Sequence, residues 1–199
     1  MNIVILLFPE VEVLDFAGPF EVFSTAARVA KRDRKLPAPP CSVFTVAASH
    51  EPVRARGGLM VLADWSMPDA PKADVLIVPG GVMTEPLGNQ ATIAWVKRTA
   101  ANANLVASVC TGAFVLGKAG LLDGLTVTTH WEDIAELRRD FPQVKVVENR
   151  AWVDEGPIVT SGGISAGIDM SLHLVRRLLG ADLARATARQ IEYRWRDEP

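Results

Sequence analysis

Runs of apolar residues alternate with stretches of helical spacing along this chain, and the alternation predicts its elements. Residues 2–8, 41–47, 73–78 and 105–109 are nearly continuous apolar runs of strand length. Runs without in-out alternation suit strands covered on both faces, as in a parallel sheet. Between them the apolar period lengthens. Phe20, Phe23, Ala27 and Ala30 share one helical face, as do Ile93, Val96 and Ala100, and further on Ile168, Leu172, Val175 and Leu179. Helices are also expected over 111–119, 132–140 and 181–193, and short strands over 125–129, 144–147, 151–153 and 158–160. Gly57-Gly58 between short β-like pieces predicts a hairpin within 52–62. Residues 9–19 read as a loop or a short first turn before a helix over 20–30. Residues 31–40, with three prolines and several charges, read as a solvated loop, and residues 65–72 as proline-punctuated connection. The alternation of strands and helices predicts an α/β fold with a doubly wound, mainly parallel sheet, formed by residues 1–199 as a single domain without internal repeats.

Composition narrows the possibilities. Hydrophobic residues make up 49% of the 199 residues and charged residues 22%, an ordinary globular balance. The formal net charge of −2 gives no electrostatic case for nucleic acid. The apolar run at residues 3–8 is too short to span a membrane and lacks the basic flank of a signal peptide, so a cytoplasmic protein is expected. The two cysteines, Cys41 and Cys110, are far apart and form no CxxC motif, which fits a reducing compartment. Three isolated histidines without ligand spacing predict no metal site, and nothing in the sequence calls for a cofactor.

Candidate chemistry centres on Cys110, which closes the strand at 105–109 immediately before a helix. Backbone N–H groups at a helix N-terminus favour an anion, and this placement predicts a lowered thiol pKa and a thiolate nucleophile. The alternative for Cys110 is a small core residue. In doubly wound sheets ligands bind beyond the strand C-termini. Asp15, Gly80-Gly81, Cys110 and His130 all follow apolar runs and are expected to meet at that rim. Asp15 is a carboxyl that, if protonated, can hydrogen-bond to the thiolate and deliver a proton; Glu10 and Glu12 compete for the same role. Gly80 and Gly81 are candidates for an oxyanion hole. Thr111 offers a hydroxyl to substrate or to the acid. His130 is a candidate partner of the thiol, and Gly162, ahead of a helix, is a candidate anion-binding position. His50 and His173 read as surface loop and helix residues, and Cys41 as structural.

Residues 108–124 and Thr128-Thr129-His130-Trp131, together with residues 14–19, 77–81 and 160–169, resemble the ThiJ/PfpI superfamily in order and over nearly the whole chain. The resemblance implies a flavodoxin-like fold with helices on both faces of the sheet and a cysteine on a nucleophile elbow. Within the superfamily, Asp15 with Cys110-Thr111 is most similar to the isocyanide hydratase group. That likeness implies a cysteine-dependent hydro-lyase acting on a small molecule. Cys110 would attack the terminal carbon of an isocyanide, Asp15 would handle protons, Thr111 would assist, and water would release an N-substituted formamide from a thioimidate. PfpI-type peptidases carry a histidine directly after the cysteine; Thr111 stands there, which argues against a peptidase. Isocyanide hydratases continue beyond the position of Glu192-Tyr193, so dimer contacts or a pocket wall from such a tail are expected to be missing or replaced. The same motifs resemble the ligand-sensing domain of AraC-type regulators. Their alternative implication is a stand-alone ligand or oxidant sensor; a DJ-one-like glyoxalase or deglycase is a third. A homodimer is expected in each case.

Overall fold

The computed structural model describes residues 1–198. Strand β1 (Asn2–Leu6) is an interior strand of its seven-stranded sheet, hydrogen-bonded on both sides. Its parallel partners are β2 (Ser42–Ala47) and β6 (Val75–Val78), with Ile3 opposite Val43 on one side and Val75 on the other. Ile3 to Leu6 are fully buried, which is why this run shows no polar alternation. The hairpin β3 (Val53–Arg54) and β4 (Met60–Val61) forms as expected around Gly57-Gly58. The proline-punctuated stretch after it adds a short edge strand, β5 (Trp65–Ser66), beside β2. Strand β7 (Leu105–Ser108) pairs with β6, and β11 (Ile158–Ser161) pairs with β7, all in parallel; β10 (Trp152–Asp154) closes the far edge antiparallel to β11. The resulting order is β10-β11-β7-β6-β1-β2-β5.

The helices are α1 (Val13–Asp33), α2 (Thr84–Gly88), α3 (Gln90–Ala100), α4 (Gly112–Lys118), α5 (Ile134–Asp140), α6 (Ala166–Leu179) and α7 (Ala181–Gln190). The crossover β1-α1-β2 runs one way along the sheet, and β6-α3-β7 runs the other. Both being right-handed, they place α1 and α3 on opposite faces. Helices α6 and α7 return to pack on α1, while α2 and α3 pack with α4. The reversal of direction opens a crevice between β1 and β6 at their C-terminal ends, where ligands bind in such sheets.

Two expectations change. Helix α1 begins at Val13 rather than Phe20, so the stretch read as a loop is helical through Gly18-Pro19. Pro19 is the seventh helical residue and lacks only the N–H that would reach the Asp15 carbonyl. Gly18 sits under Ile168 of α6, leaving room for only a small residue. The strand expected at 125–129 shrinks to β8 (Thr126–Val127), which pairs with β9 (Lys145–Val146) in a separate two-stranded sheet. His130 therefore follows a satellite strand, not one of the central ones. Among the described residues no helix is long and apolar enough to cross a membrane.

Helix α4 starts against the end of β6. A methyl group on Gly112 would lie 2.1 Å from the Val78 carbonyl oxygen and 2.9 Å from that of Pro79. Because these are backbone atoms, relief requires shifting an element. Gly112→Ala is therefore expected to lower the unfolding free energy by about 2 kcal/mol or more, read from urea denaturation. An unchanged midpoint would show that this close approach is not needed.

Candidate active site

Cys110 sits in a backbone conformation that an L-residue rarely adopts, with φ +56°. The turn is fixed from three sides. Its N–H donates to the Gly162 carbonyl at 3.2 Å, its carbonyl accepts from the Thr129 hydroxyl at 2.8 Å, and the preceding Val109 N–H donates to Val78 at 3.0 Å. This is the sharp strand-to-helix elbow expected from the sequence. Gly162 serves it structurally: its carbonyl holds Cys110, and it lines a neighbouring cavity rather than the one at the thiol. The candidate role of Gly162 at the reacting centre is thus replaced by that of a strut. Cys41, by contrast, is core: its thiol donates to the Phe23 carbonyl at 3.8 Å, and burial pushes its pKa up to about 11.

Asp15 is the carboxyl that reaches the thiol. The early start of α1 puts it in the first helical turn, fully buried. Its Oδ2 accepts the Gly80 N–H at 3.0 Å, and the Cys110 thiol is close enough for each group to shift the other's ionisation. Oδ1 itself has no close partner. Burial raises the pKa of Asp15 to about 7. The charge of Glu12 adds to the rise, while the Gly80 amide, the thiol and Arg56 oppose it. Glu12 pairs with Arg56 at 3.4 Å and Glu10 with Arg54 at 3.5 Å, so both competitors have cationic partners.

The expected lowering of the thiol pKa is reversed. Burial, then the neighbouring Asp15 charge, pushes Cys110 up to about 12; the amide and hydroxyl of Thr111 pull it down. Helix α4 offers little more, because the N–H groups of Gly112 and Phe114 already donate to Val109 and Thr111. Cys110 is therefore a neutral thiol beside a carboxyl that titrates near neutrality.

The glycine pair also differs from expectation. The Gly80 N–H is taken by Asp15, and the Gly81 N–H donates to Thr111 Oγ1 at 3.0 Å. Neither amide is a free oxyanion donor. Gly80 instead permits close packing: a Cβ there would lie 2.7 Å from Asp15 Oδ2, from Thr111 N and from Thr111 Oγ1. The single proton of the Thr111 hydroxyl has two acceptors in reach, the Gly81 carbonyl at 3.1 Å and the Cys110 sulfur.

A cavity of about 280 Å³ opens on the thiol, walled by Glu12, Arg56, Gly81, Val82, Thr111, His130, Glu132, Asp133 and Ile164. His130 is therefore brought to the site, mostly shielded, with Nδ1 3.2 Å from Asp133 Oδ2. Burial raises the Asp133 pKa, and His130 opposes the rise. Sequence reasoning missed Asp133, although its spacing of three from His130 was a signal. It also missed Arg56, which arrives on a hairpin with no local cue. His173 is buried between Asp154 and Trp152 and takes no part, and His50 is exposed, paired with Asp69. Among the described residues no group of three or more His, Cys, Asp or Glu is placed to hold a metal ion.

The raised carboxyl makes a signed prediction. A carboxyl whose folded pKa lies above its unfolded value contributes stability that is fully present below about pH 4 and is lost as the pH rises through about 7. Asp15→Asn removes that dependence. Relative to wild type it should gain on the order of 3–4 kcal/mol of unfolding free energy between about pH 4 and about pH 8, followed by urea titration. The same variant should alkylate faster at Cys110 in mild alkali, since the neighbouring negative charge is gone. Parallel stability curves would show that Asp15 ionises freely.

Comparison with known proteins agrees with this geometry. Residues 1–177 match the model of the DJ-1/PfpI family. Isonitrile hydratase of Pseudomonas putida is 37% identical over 196 residues, 97% of this chain and 78% of that protein. The HTH-type transcriptional regulator CdhR of Pseudomonas aeruginosa is 34% identical over 181 residues, 90% of this chain but 51% of the regulator. A crystal structure of a ThiJ/PfpI family protein from Pseudomonas syringae superposes with a TM-score of 0.85 at 28% identity, covering all of this chain and 76% of that one. With a strained cysteine at the sheet's switch point and a match across most of its length, the chain belongs to the DJ-1/PfpI family.

Proposed function

We propose that this chain hydrates an isocyanide to an N-substituted formamide through a covalent intermediate on Cys110. The observation that carries the reading is the neutral thiol of Cys110 beside the near-neutral carboxyl of Asp15 at the floor of a small cavity. The likeness to isonitrile hydratase supplies the substrate class. An isocyanide carbon accepts both a proton and a nucleophile at one atom. Protonated Asp15 gives that carbon a proton while sulfur bonds to it, and the thiol proton returns to Asp15. The product is a thioimidate, R–N=CH–S–Cys110. Water then adds to the same carbon, a proton moves to nitrogen, the C–S bond breaks, and the formamide leaves as the thiol is restored. A nucleophile formed only as its proton departs needs no standing thiolate, which reconciles catalysis with a thiol pKa near 12.

Thr111 follows the sulfur through this cycle by moving its one proton between the Gly81 carbonyl and Cys110. His130, oriented by Asp133, is assigned to hold the attacking water. The functional unit is proposed to be a cytoplasmic homodimer. Leu59, Met60 and Leu62 on the β3–β4 hairpin are at least half exposed, and two reduced thiols fit that compartment.

The test supplies an alkyl isocyanide and detects the formamide by mass spectrometry. Wild type should turn it over. Cys110→Ala should abolish turnover, and Asp15→Asn should reduce kcat by roughly a hundredfold or more. Formamide production that survives in Cys110→Ala rejects the mechanism. Saturable isocyanide or other ligand binding without turnover would favour a sensor, the role suggested by the regulator relatives. Light scattering should give the dimer mass, and Leu59→Glu with Leu62→Glu should shift it to the monomer.

A further inference from the structure

Two segments that wall the cavity at Cys110 are both hung from the backbone of that one residue. The Gly162 carbonyl accepts the Cys110 N–H at 3.2 Å, and the Thr129 hydroxyl donates to the Cys110 carbonyl at 2.8 Å. The residue after each anchor is where the segments meet, Gly163 against the imidazole of His130. A Cβ on Gly163 would lie 2.1 Å from His130 Cδ2 and 3.1 Å from both Cγ and Nε2. A methyl group there and the ring in this place exclude one another. At its other edge the ring meets acid, with Nδ1 3.2 Å from Asp133 Oδ2 and 3.8 Å from Glu132 Oε2. The imidazole is thus gripped between a carboxylate and a bare stretch of backbone.

The fold itself does not require glycine at this position. Gly163 lies outside the left-handed region that favours glycine. The three atoms nearest to an added Cβ all belong to the His130 ring, whereas at Gly112 they are backbone atoms of Val78 and Pro79. An alanine at 163 is therefore accommodated by turning one side chain, with no element shifted. What the glycine secures is the place of the ring. We propose that Gly163 is a positioning residue for His130: the missing side chain lets the imidazole lie on the 162–165 loop and, with Asp133, fixes where Nε2 stands in the cavity at Cys110. Through its own N–H and carbonyl, Cys110 thereby sets the place of the histidine it faces. The effect on turnover rests on the water-holding role proposed for His130; the placement of the ring does not.

The test pairs NMR with kinetics. Wild-type protein should show a strong nuclear Overhauser effect between Gly163 Hα and His130 Hδ2. In Gly163→Ala the His130 Cδ2–Hδ2 signal should move while the urea midpoint changes little. With an alkyl isocyanide, Gly163→Ala should lower kcat about tenfold or more and keep KM within about threefold. Because the substitution acts through the ring, adding it to His130→Ala should leave the residual turnover of that variant within about twofold. If Gly163→Ala does not fold, the double variant, relieved of the clash, should. A double variant that also fails to fold, a wild type without the Overhauser effect, a ring signal that stays in place in Gly163→Ala, or a further tenfold loss on top of His130→Ala would each overturn the assignment. If the wild type does not turn over isocyanide, the hydration reading falls, and the Overhauser effect and the ring signal still decide the role of Gly163.

Discussion

The left-handed turn at Cys110 is the constraint around which this structure is arranged. An L-residue at φ +56° is held there only when its surroundings over-determine it. Here three hydrogen bonds do so, from β6, from the loop after β11 and from the segment after β8. Each comes from a different part of the chain, so the elbow exists only once the sheet is assembled. Gly112 lets α4 leave at once, against the end of β6. The thiol is thereby pointed at the switch point between β1 and β6, and the start of α1 delivers Asp15 beneath it.

Two acids in a dry place cannot both ionise at little cost. Burial pushes both Cys110 and Asp15 toward their neutral forms, and each charge, once formed, opposes the other. Under the reaction proposed for this site, the electrostatic balance decides what kind of electrophile suits it. A substrate that must be protonated as it is attacked can use both neutral groups together. One that requires a ready thiolate finds none at rest.

The parallel sheet was legible because its strands are covered on both faces and their apolar runs are unbroken. Cys110 and its elbow were legible because a strand signal passes directly into a helix signal. The beginning of α1 was not. Gly18-Pro19 has the composition of a loop; the helix runs through it with Gly18 fitted under Ile168, although Pro19, its seventh residue, forgoes one backbone hydrogen bond. Asp15 was preferred over its competitors Glu10 and Glu12, and long-range partners separate them: Arg54 and Arg56 for the two glutamates, Gly80 and Cys110 for Asp15. The thiol pKa was misjudged because a helix N-terminus is a local cue, whereas burial beside a carboxyl is a product of the whole fold. The Gly80 and Gly81 amides were read as free donors for a similar reason, since their acceptors lie tens of residues away.

The strained cysteine also bears on how the chain would drift without selection for its chemistry. Glycine at position 110 would relax the backbone, and asparagine at position 15 would remove a buried charge. Both changes are accessible and both favour the folded state, so in a lineage whose thiol had fallen idle they would accumulate as repairs. With cysteine and aspartate at these positions the chain forgoes that stability.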